Sequence, residues 1–217
     1  MTAFTQISGI AAPLLRPNID TDVIIRIERL TSVPKDKLGE YAFEAIRYLP
    51  DGTPDPEFLP GLPRFSNATI LITGINFGCG SSRESAVWAL QSMGIKCVIA
   101  PSFGDIFFNN CFQCGVLPIV LDEAKVDGLA RQAMAGKELT VDLEKQVIVV
   151  EGELHPFKVD PLRRAMLLEG LDEVGATLLE DSLILAWQKA DKGRRPWVWQ
   201  VADSRDPVST LIGKSSC

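Results

Sequence analysis

The sequence predicts an α/β fold, and two features of its middle portion carry that prediction. Three short apolar runs rich in β-branched residues alternate with two stretches that have a helical spacing of apolar residues. Strands that alternate with helices in this way pair in parallel. Downstream, LTVDLEKQVIVVEG (139–152) alternates on either side of Glu144-Lys145, which predicts an antiparallel hairpin. The predicted strands are ATILITG (68–74), CVIAPS (97–102) and LPIVL (117–121), and the predicted helices are RESAVWALQSMG (83–94) and DIFFNNCFQ (105–113).

The first sixty residues change character twice. ISGIAAPLL (7–15) has short apolar runs interrupted by glycine and proline, as in strands beside a turn. Asp20-Thr21-Asp22 is predicted to form an acidic turn ahead of an apolar run. Between 34 and 63 proline and glycine are dense, which predicts a loop in which only a short helix over 41–49 buries an apolar face. Loops of this length are usually functional or mobile, so we expect the region 27–63 to be mobile.

The C-terminal third is predicted to be mainly helical. ELHPFKV (153–159) adds a strand, after which Pro161 suits the first position of a helix. RRAMLLEGL (163–171) continues that helix, and GATLLEDSLILAWQKA (175–190) is predicted as another single helix. The tail 194–217 has no strong periodicity and is expected to fray or to wrap a partner. We expect a single domain over residues 1–217, with C-terminal helices over 161–190.

Composition and charge exclude several classes of protein. A net charge of −6 disfavours nucleic-acid binding, because phosphate recognition needs a basic surface. No run reaches the roughly 18 apolar residues of a membrane span. The N-terminus lacks the basic start and apolar stretch of a secretory signal. The sequence therefore predicts a cytoplasmic protein.

The five cysteines are expected to be reduced thiols rather than metal ligands. Cys111 and Cys114 form one Cys-x-x-Cys, but a zinc or iron–sulfur site needs about two further ligands at suitable spacing. The only histidine is His155, which lies in a predicted strand. Buried small residues at the end of a helix are the simpler interpretation of the two cysteines, and no metal is predicted on this chain.

The segment that is predicted to take part in binding or catalysis lies between a buried strand and a helix. It is Asn76-Phe77-Gly78-Cys79-Gly80-Ser81-Ser82-Arg83-Glu84. Its glycines allow a sharp turn and a close approach to a ligand. Ser81 or Ser82 is expected to cap the following helix, whose amides and dipole, together with Arg83, favour a bound carboxylate. In an arbitrary chain such a sequence would only cap a helix. It is neither a dinucleotide fingerprint nor a nucleophile elbow, because both spacings fail.

The same nine residues resemble the signature of the mobile swivel domain of aconitase-family enzymes. Ala100-Pro101-Ser102-Phe103 and Asp105-Ile106-Phe107 are similar to that domain in its separate small-subunit form, and Asn18-Ile19-Asp20-Thr21-Asp22 resembles the family's other hallmark. Gly170-Leu171-Asp172 and Gly175-Ala176-Thr177-Leu178 resemble its C-terminal helical region. The resemblance extends from about residue 5 to about residue 190.

The resemblance implies a swivelling β/β/α domain with a mixed sheet flanked by helices. It implies a large-subunit partner whose cysteines hold a [4Fe–4S] cluster, so that no cofactor is bound by this chain. The implied reaction on a small hydroxy-diacid is dehydration of 2-isopropylmalate and rehydration to 3-isopropylmalate, a step of leucine biosynthesis.

The resemblance also assigns roles to residues. Ser81 is implied as the base that moves the carbon-bound proton, and Ser82 and Arg83 as ligands of a substrate carboxylate. Asp22 is implied to line the cleft from the other side, with the alternative that its carboxylate only satisfies a turn.

Two positions depart from the family pattern. Ser85 follows Glu84 where histidine is usual, and Arg26 stands where Ile-Ile-Pro is common. Arg26 is expected either to form a salt bridge with Asp22 or to bind a second substrate carboxylate. These departures leave two alternatives open: a related hydratase acting on citraconate, 2-methylmalate or dimethylmalate, and a non-catalytic binding module of the same fold.

Overall fold

The computed structural model describes residues 1–200, so that most of the predicted tail, residues 201–217, lies outside the described part. The described part of the chain divides into two compact units, Met1–Asp172 and a second that begins at Glu173. The expectation of a single domain stays a prediction. No helix within residues 1–200 has the length and apolarity needed to cross a membrane.

The first unit alternates short strands with helices. Its strands are β1 (Gln6–Gly9), β2 (Ala11–Leu14), β3 (Ile70–Thr73), β4 (Cys97–Ala100), β5 (Leu117–Val120), β6 (Leu139–Asp142), β7 (Val147–Val150) and β8 (Glu153–Pro156). Its helices are α1 (Thr21–Ile24), α2 (Ile27–Ser32), α3 (Glu44–Arg47), α4 (Glu84–Ser92), α5 (Asp105–Cys114), α6 (Glu123–Met134) and α7 (Pro161–Glu169). Short 3-10 turns lie at Lys35–Tyr41, Leu59–Gly61 and Pro63–Phe65.

The eight strands form two four-stranded sheets. One has the order β1-β6-β7-β8 with antiparallel neighbours, and the other has the order β2-β3-β4-β5 with parallel neighbours. The predicted parallel strands, the hairpin and the extra strand at 153–159 are all present. The predicted fold class is confirmed, although the two orientations occupy separate sheets rather than one mixed sheet. The chain crosses between the sheets at Ile10, a single residue that the apolar pattern of 7–15 cannot reveal.

The parallel sheet separates two apolar cores. Because successive side chains of a strand point to opposite faces, Leu71 and Val98 pack on one side and Ile70, Ile72 and Ile99 on the other, all of them fully buried. The first core also contains apolar residues of α4 and α5, and the second contains those of α6 and of the antiparallel sheet. Burial on both faces explains why β3 and β4 are continuous apolar runs.

Helix α6 was not predicted from the sequence. Its buried side chains, Val126, Leu129, Ala130 and Ala133, have helical spacing and pack in the second core. Small alanines, a glycine at position 128 and interspersed charges make the apolar stripe weak in sequence. The many alanine, lysine, glutamate and arginine residues of α6 favour a helix intrinsically, and packing in the second core adds to that preference.

The insert segment, residues 27–63, packs on the first unit over much of its length. Leu38, Phe43 and Phe58 are 2%, 0% and 1% exposed and belong to the first core. The expectation that only 41–49 buries an apolar face is therefore wrong. The expected mobility of the segment stays a prediction.

An ion pair ties two short helices of the insert segment together. Arg29 on α2 donates from Nε and Nη2 to the two carboxylate oxygens of Glu44 on α3, over 2.9 and 2.6 Å. These hydrogen bonds lower the pKa of Glu44 below its ordinary value. The two-point contact fixes the orientation of both helices better than a single contact would.

The second unit contains α8 (Glu173–Leu178), α9 (Asp181–Arg194) and α10 (Pro196–Gln200). The prediction of a single helix over 175–190 is wrong. The helix is interrupted at Leu179 and Glu180, whose amides donate to the carbonyls of the residues three positions earlier. Asp191 is 1% exposed and accepts hydrogen bonds from Arg194, Arg195 and the Trp199 indole. Those bonds, above all the one from Arg195, lower the pKa of Asp191 to about 2 and join α10 to α9.

Candidate active site

Three loops meet at one edge of the parallel sheet. They follow the carboxyl ends of β2, β3 and β4, where α/β proteins commonly bind ligands. We call residues 18–22 the acidic segment and residues 74–83 the site loop. The site loop lies between the acidic segment and residues 101–104. One-residue parallel bridges join it to its two neighbours, Asp20 with Cys79 on one side and Phe77 with Phe103 on the other.

Backbone hydrogen bonds fix the acidic segment against the site loop. The amide of Gly78 donates to the Ile19 carbonyl over 2.7 Å, and the amide of Thr21 donates to the Cys79 carbonyl over 2.9 Å. The buried Thr21 hydroxyl also donates to the Ser81 carbonyl over 3.0 Å. Thr21 was not singled out from the sequence, where nothing distinguishes it from an ordinary turn residue.

The asparagines at the start of the two segments add a further contact. The Asn76 side-chain amide donates to Asn18 Oδ1 over 2.9 Å, and the Asn18 backbone amide donates to the Ile75 carbonyl over 2.9 Å. Both residues have positive φ angles, 54° and 59° for Asn18 and Asn76, a region that asparagine tolerates better than most residues. The two hallmark sequences are therefore packed side by side.

Asp22 and Arg83 meet across this junction. Arg83 Nη1 donates to Asp22 Oδ1 in a close ion pair, with the Arg83 side chain 18% exposed and the Asp22 side chain 54% exposed. Asp20, not Asp22, stabilises the turn, because Asp20 is the N-cap of α1 and accepts from the Val23 amide over 2.7 Å. The alternative that Asp22 only satisfies a turn is thereby excluded for this structure.

Ser81 and Ser82 lie exposed on the site loop, but neither caps a helix. Helix α4 begins at Glu84, its N-cap is Arg83, and no side chain accepts a hydrogen bond at that cap. The expectation of a serine cap is therefore wrong, because the helix starts later than the sequence pattern implied. No other residue of the described chain holds the Ser81 hydroxyl, so it is free to face a ligand.

Arg26 does not pair with Asp22. It is exposed at the N-terminus of α2, within the described residues it forms no ion pair, and it lines a depression of about 540 Å³ with Glu44, Tyr48 and Leu49. Asp22, which Arg26 was expected to contact, instead forms its ion pair with Arg83. The other expectation, that Arg26 binds a second carboxylate, stays a prediction.

Ser85, the second departure from the family pattern, faces the interior. Its side chain is 5% exposed on the buried side of α4, beside Ala86. Ser85 is therefore part of the buried face of α4 and not an exposed residue of the site.

Glycines let the three loops approach closely. Gly78 has φ +71°, and a Cβ placed there would lie 2.2 Å from Phe107 Cγ. A Cβ on Gly104 would lie 2.6 Å from the Gly78 carbonyl oxygen. Beside these glycines, a cavity of about 360 Å³ is lined by Asn76, Cys79, Phe103 and Ile106 among others.

The first prediction concerns Gly78. Gly78→Ala adds a left-handed backbone penalty of about 1–2 kcal/mol and an overpacking penalty of about 1–3 kcal/mol, so we expect a marked loss of unfolding free energy. Gly136→Ala is the matched control, because Gly136 has φ +82° with nothing within 4 Å of a Cβ. Denaturant unfolding of both variants measures the difference, and equal losses would show that contact with Phe107 is unimportant.

The described cysteines do not fit a metal cluster. Cys97 and Cys111 are fully buried, and desolvation raises the pKa of both thiols. Burial, with Glu84 accepting from its Sγ, raises the pKa of Cys114 to about 12. Within residues 1–200 no three metal-ligating side chains gather. No chemical step is therefore assigned to a cluster on these residues.

Comparison with known proteins agrees with this arrangement. The family model described as Aconitase C-terminal domain matches residues 1–124, and one described as LeuD_N matches residues 127–161. The 3-isopropylmalate dehydratase small subunit of Hahella chejuensis is 46% identical over 211 residues, covering 92% of this chain and 98% of the relative. That of Paramagnetospirillum magneticum is 47% identical over 201 residues, covering 91% and 100%. The solved structure of 3-isopropylmalate dehydratase (leuD) from Methanocaldococcus jannaschii matches with a TM-score of 0.62 at 29% identity, covering 84% of this chain and 99% of that one.

The fold, the site loop and these matches define an aconitase-type domain. The chain belongs to the aconitase C-terminal domain family, in the branch formed by the small subunits of 3-isopropylmalate dehydratase. The family predicted from the two hallmark sequences is confirmed.

Proposed function

We propose that this chain is the small subunit of a hydro-lyase that converts 2-isopropylmalate to 3-isopropylmalate by dehydration and rehydration. The observation that carries the proposal is the exposed Ser81-Ser82-Arg83 run at the carboxyl edge of the parallel sheet, in a chain about 46% identical to subunits that bear this name. The relatives are small subunits, which implies a large-subunit partner. We place the reaction in the cytoplasm and in leucine biosynthesis.

Ser81 acts as the base in this proposal. In dehydration, one proton leaves the substrate carbon and hydroxide leaves its neighbour, giving an unsaturated diacid and one water. Rehydration adds the water in the opposite sense. The Ser81 hydroxyl is exposed, has no partner in the described chain and lies two positions before the Arg83 guanidinium. As its alkoxide, the Ser81 oxygen would take up the carbon-bound proton, and in rehydration the re-formed hydroxyl would deliver a proton, exchangeable with solvent, to the carbon that lost hydroxide.

Ser82 and Arg83 bind a substrate carboxylate. A guanidinium that is 18% exposed is partly shielded from water, which strengthens its interaction with an anion. Asp22 lines the cleft from the other side. Arg26 lies on the neighbouring α2 terminus, where it binds a second carboxylate.

The partner supplies what this chain lacks. We propose that the large subunit carries the [4Fe–4S] cluster, which would act as a Lewis acid on the departing hydroxyl. The residues of this chain then position the diacid, exclude water and move the proton.

Reconstitution tests the function. The isolated chain should bind no iron stoichiometrically and show no hydro-lyase activity. The complex with the large subunit, assembled anaerobically, should isomerise 2-isopropylmalate faster than it hydrates citraconate or dehydrates 2-methylmalate or dimethylmalate. A higher catalytic efficiency on one of those acids would move the assignment to the sister reaction that Arg26 makes worth testing. Inactivity of a cluster-loaded complex on every acid would support a non-catalytic module.

The second prediction concerns the insert segment. Amides near the fully buried Leu38, Phe43 and Phe58 should exchange hydrogen slowly in the free subunit. The amides of the exposed Ile27 and Asp51 have no such protection and should exchange quickly. Adding large subunit and substrate should slow the second group, because closing a substrate cleft shields its rim. Exchange measured by mass spectrometry decides this. Slow exchange throughout the free segment would contradict a gating role and move substrate choice to the large subunit.

A further inference from the structure

The Asp22–Arg83 pair leaves most of the guanidinium unoccupied. Arginine has five N–H donors, and only one nitrogen, Nη1, contacts Asp22. Within the described residues no other acceptor meets Arg83. The edge formed by Nε and Nη2, which binds carboxylates with two parallel hydrogen bonds, therefore stays available.

The support beneath Asp22 does not depend on the pair. Asp20 caps α1, the Thr21 amide and hydroxyl bond to the Cys79 and Ser81 carbonyls, and Ile24 is fully buried. The Asp22 carboxylate is thus presented from a backbone that is fixed by its neighbours. Because the backbone at Asp22 is held in place by other contacts, the Asp22 carboxylate can orient the longer Arg83 side chain, and substituting Asp22 should leave that backbone unchanged.

Charge argues against direct contact between Asp22 and the substrate. The substrate is a diacid with two negative charges at neutral pH, so a third carboxylate facing it would repel it. Through Arg83, the same carboxylate becomes favourable, because a guanidinium can bridge two anions.

We infer that Asp22 is a positioning residue: it holds Arg83 through Nη1 so that the Nε–Nη2 edge faces the substrate carboxylate. The inference deepens the function proposed above and rests on it. The competing mechanism is that Asp22 occupies the carboxylate site in the free subunit and is displaced by substrate. The two mechanisms predict opposite effects on affinity.

Asp22→Ala in the reconstituted complex separates them. Positioning predicts a rise in KM, and in the inhibition constant of an unreactive dicarboxylate such as succinate, of about 10-fold, with kcat within about 2-fold. Asp22→Asn keeps an oxygen that accepts from Nη1 and should recover part of the affinity. In an Arg83→Lys background the effect of Asp22→Ala should shrink, because the two changes disrupt one unit. Glu123→Gln, which removes an exposed charge at the start of α6, should leave both constants unchanged.

Two kinetic results would overturn the inference. Tighter dicarboxylate binding by Asp22→Ala would show that Asp22 competes with substrate. A fall in kcat with unchanged KM would show that it acts on the reacting atoms instead.

NMR of the Arg83 side chain tests the positioning role of Asp22 without depending on the proposed activity. In the isotope-labelled full-length chain, rotation about the Arg83 Cζ–Nη bonds, followed by ¹⁵N NMR, should be slow, should become fast in Asp22→Ala, and should stay slow when succinate is added. If this rotation becomes fast when succinate is added, succinate has broken the Asp22–Arg83 pair, and the inference fails whatever the complex catalyses. If the NMR result holds while the wild-type complex is inactive on every diacid, only the proposed function fails.

Discussion

Ser81→Ala is expected to lower kcat by about 10²-fold or more while KM changes little. Losing a positioned acid–base group removes stabilisation that exists only in the transition state, so turnover falls and substrate binding does not. The structure sharpens this expectation, because Ser81 neither caps α4 nor bonds through its hydroxyl to another described residue. The variant should therefore unfold at the same temperature as the wild type.

Ser82→Ala is the matched control for that experiment. It removes a hydroxyl from the adjacent exposed position. Because Ser82 is proposed to bind a substrate carboxylate, its loss should raise KM and leave kcat nearly unchanged. Steady-state kinetics of the two reconstituted variants, with thermal unfolding of each small subunit, give the comparison. Near-normal turnover of Ser81→Ala would assign the base to another residue.

Arg83→Lys is expected to raise KM by roughly 10- to 100-fold, the equivalent of about 1.5–3 kcal/mol of lost charged hydrogen bonding. An ammonium keeps the positive charge and can still meet Asp22, but it cannot form two parallel hydrogen bonds to a carboxylate. Arg64→Lys is the control, because Arg64 is exposed and stacks over Phe65. A KM equal to that of the control would show that Arg83 does not bind the substrate through its Nε–Nη2 edge.

Much of the candidate site could be located from the sequence because its residues are neighbours in the chain. The glycines, serines and arginine of the site loop follow one another in the chain, and strand β3 before them is unambiguous. The partnership of Asp22 with Arg83 could not be derived from spacing alone, since 61 residues separate them. It depends on the parallel order of β2 and β3, which places the ends of both strands at one edge.

The errors have physical causes of the same kind. The start of α4 was placed too early because Ser-Ser ahead of an apolar stripe is usually a cap, whereas here tertiary hydrogen bonds hold the Ser81 carbonyl toward Thr21. Helix α6 was missed because two of its four buried residues are alanines and charged residues lie between them. Leu38 and Phe58 were assigned to an exposed loop because prolines and glycines surround two residues that the core nevertheless buries.

Ser81 is expected to move the carbon-bound proton of a diacid held by Arg83. The most direct test follows deuterium from heavy water into the substrate carbon during turnover by the reconstituted complex. We predict rapid incorporation with the wild type, and incorporation reduced by about 10²-fold or more with Ser81→Ala while dicarboxylate binding is preserved. Wild-type rates of incorporation in Ser81→Ala would contradict the claim.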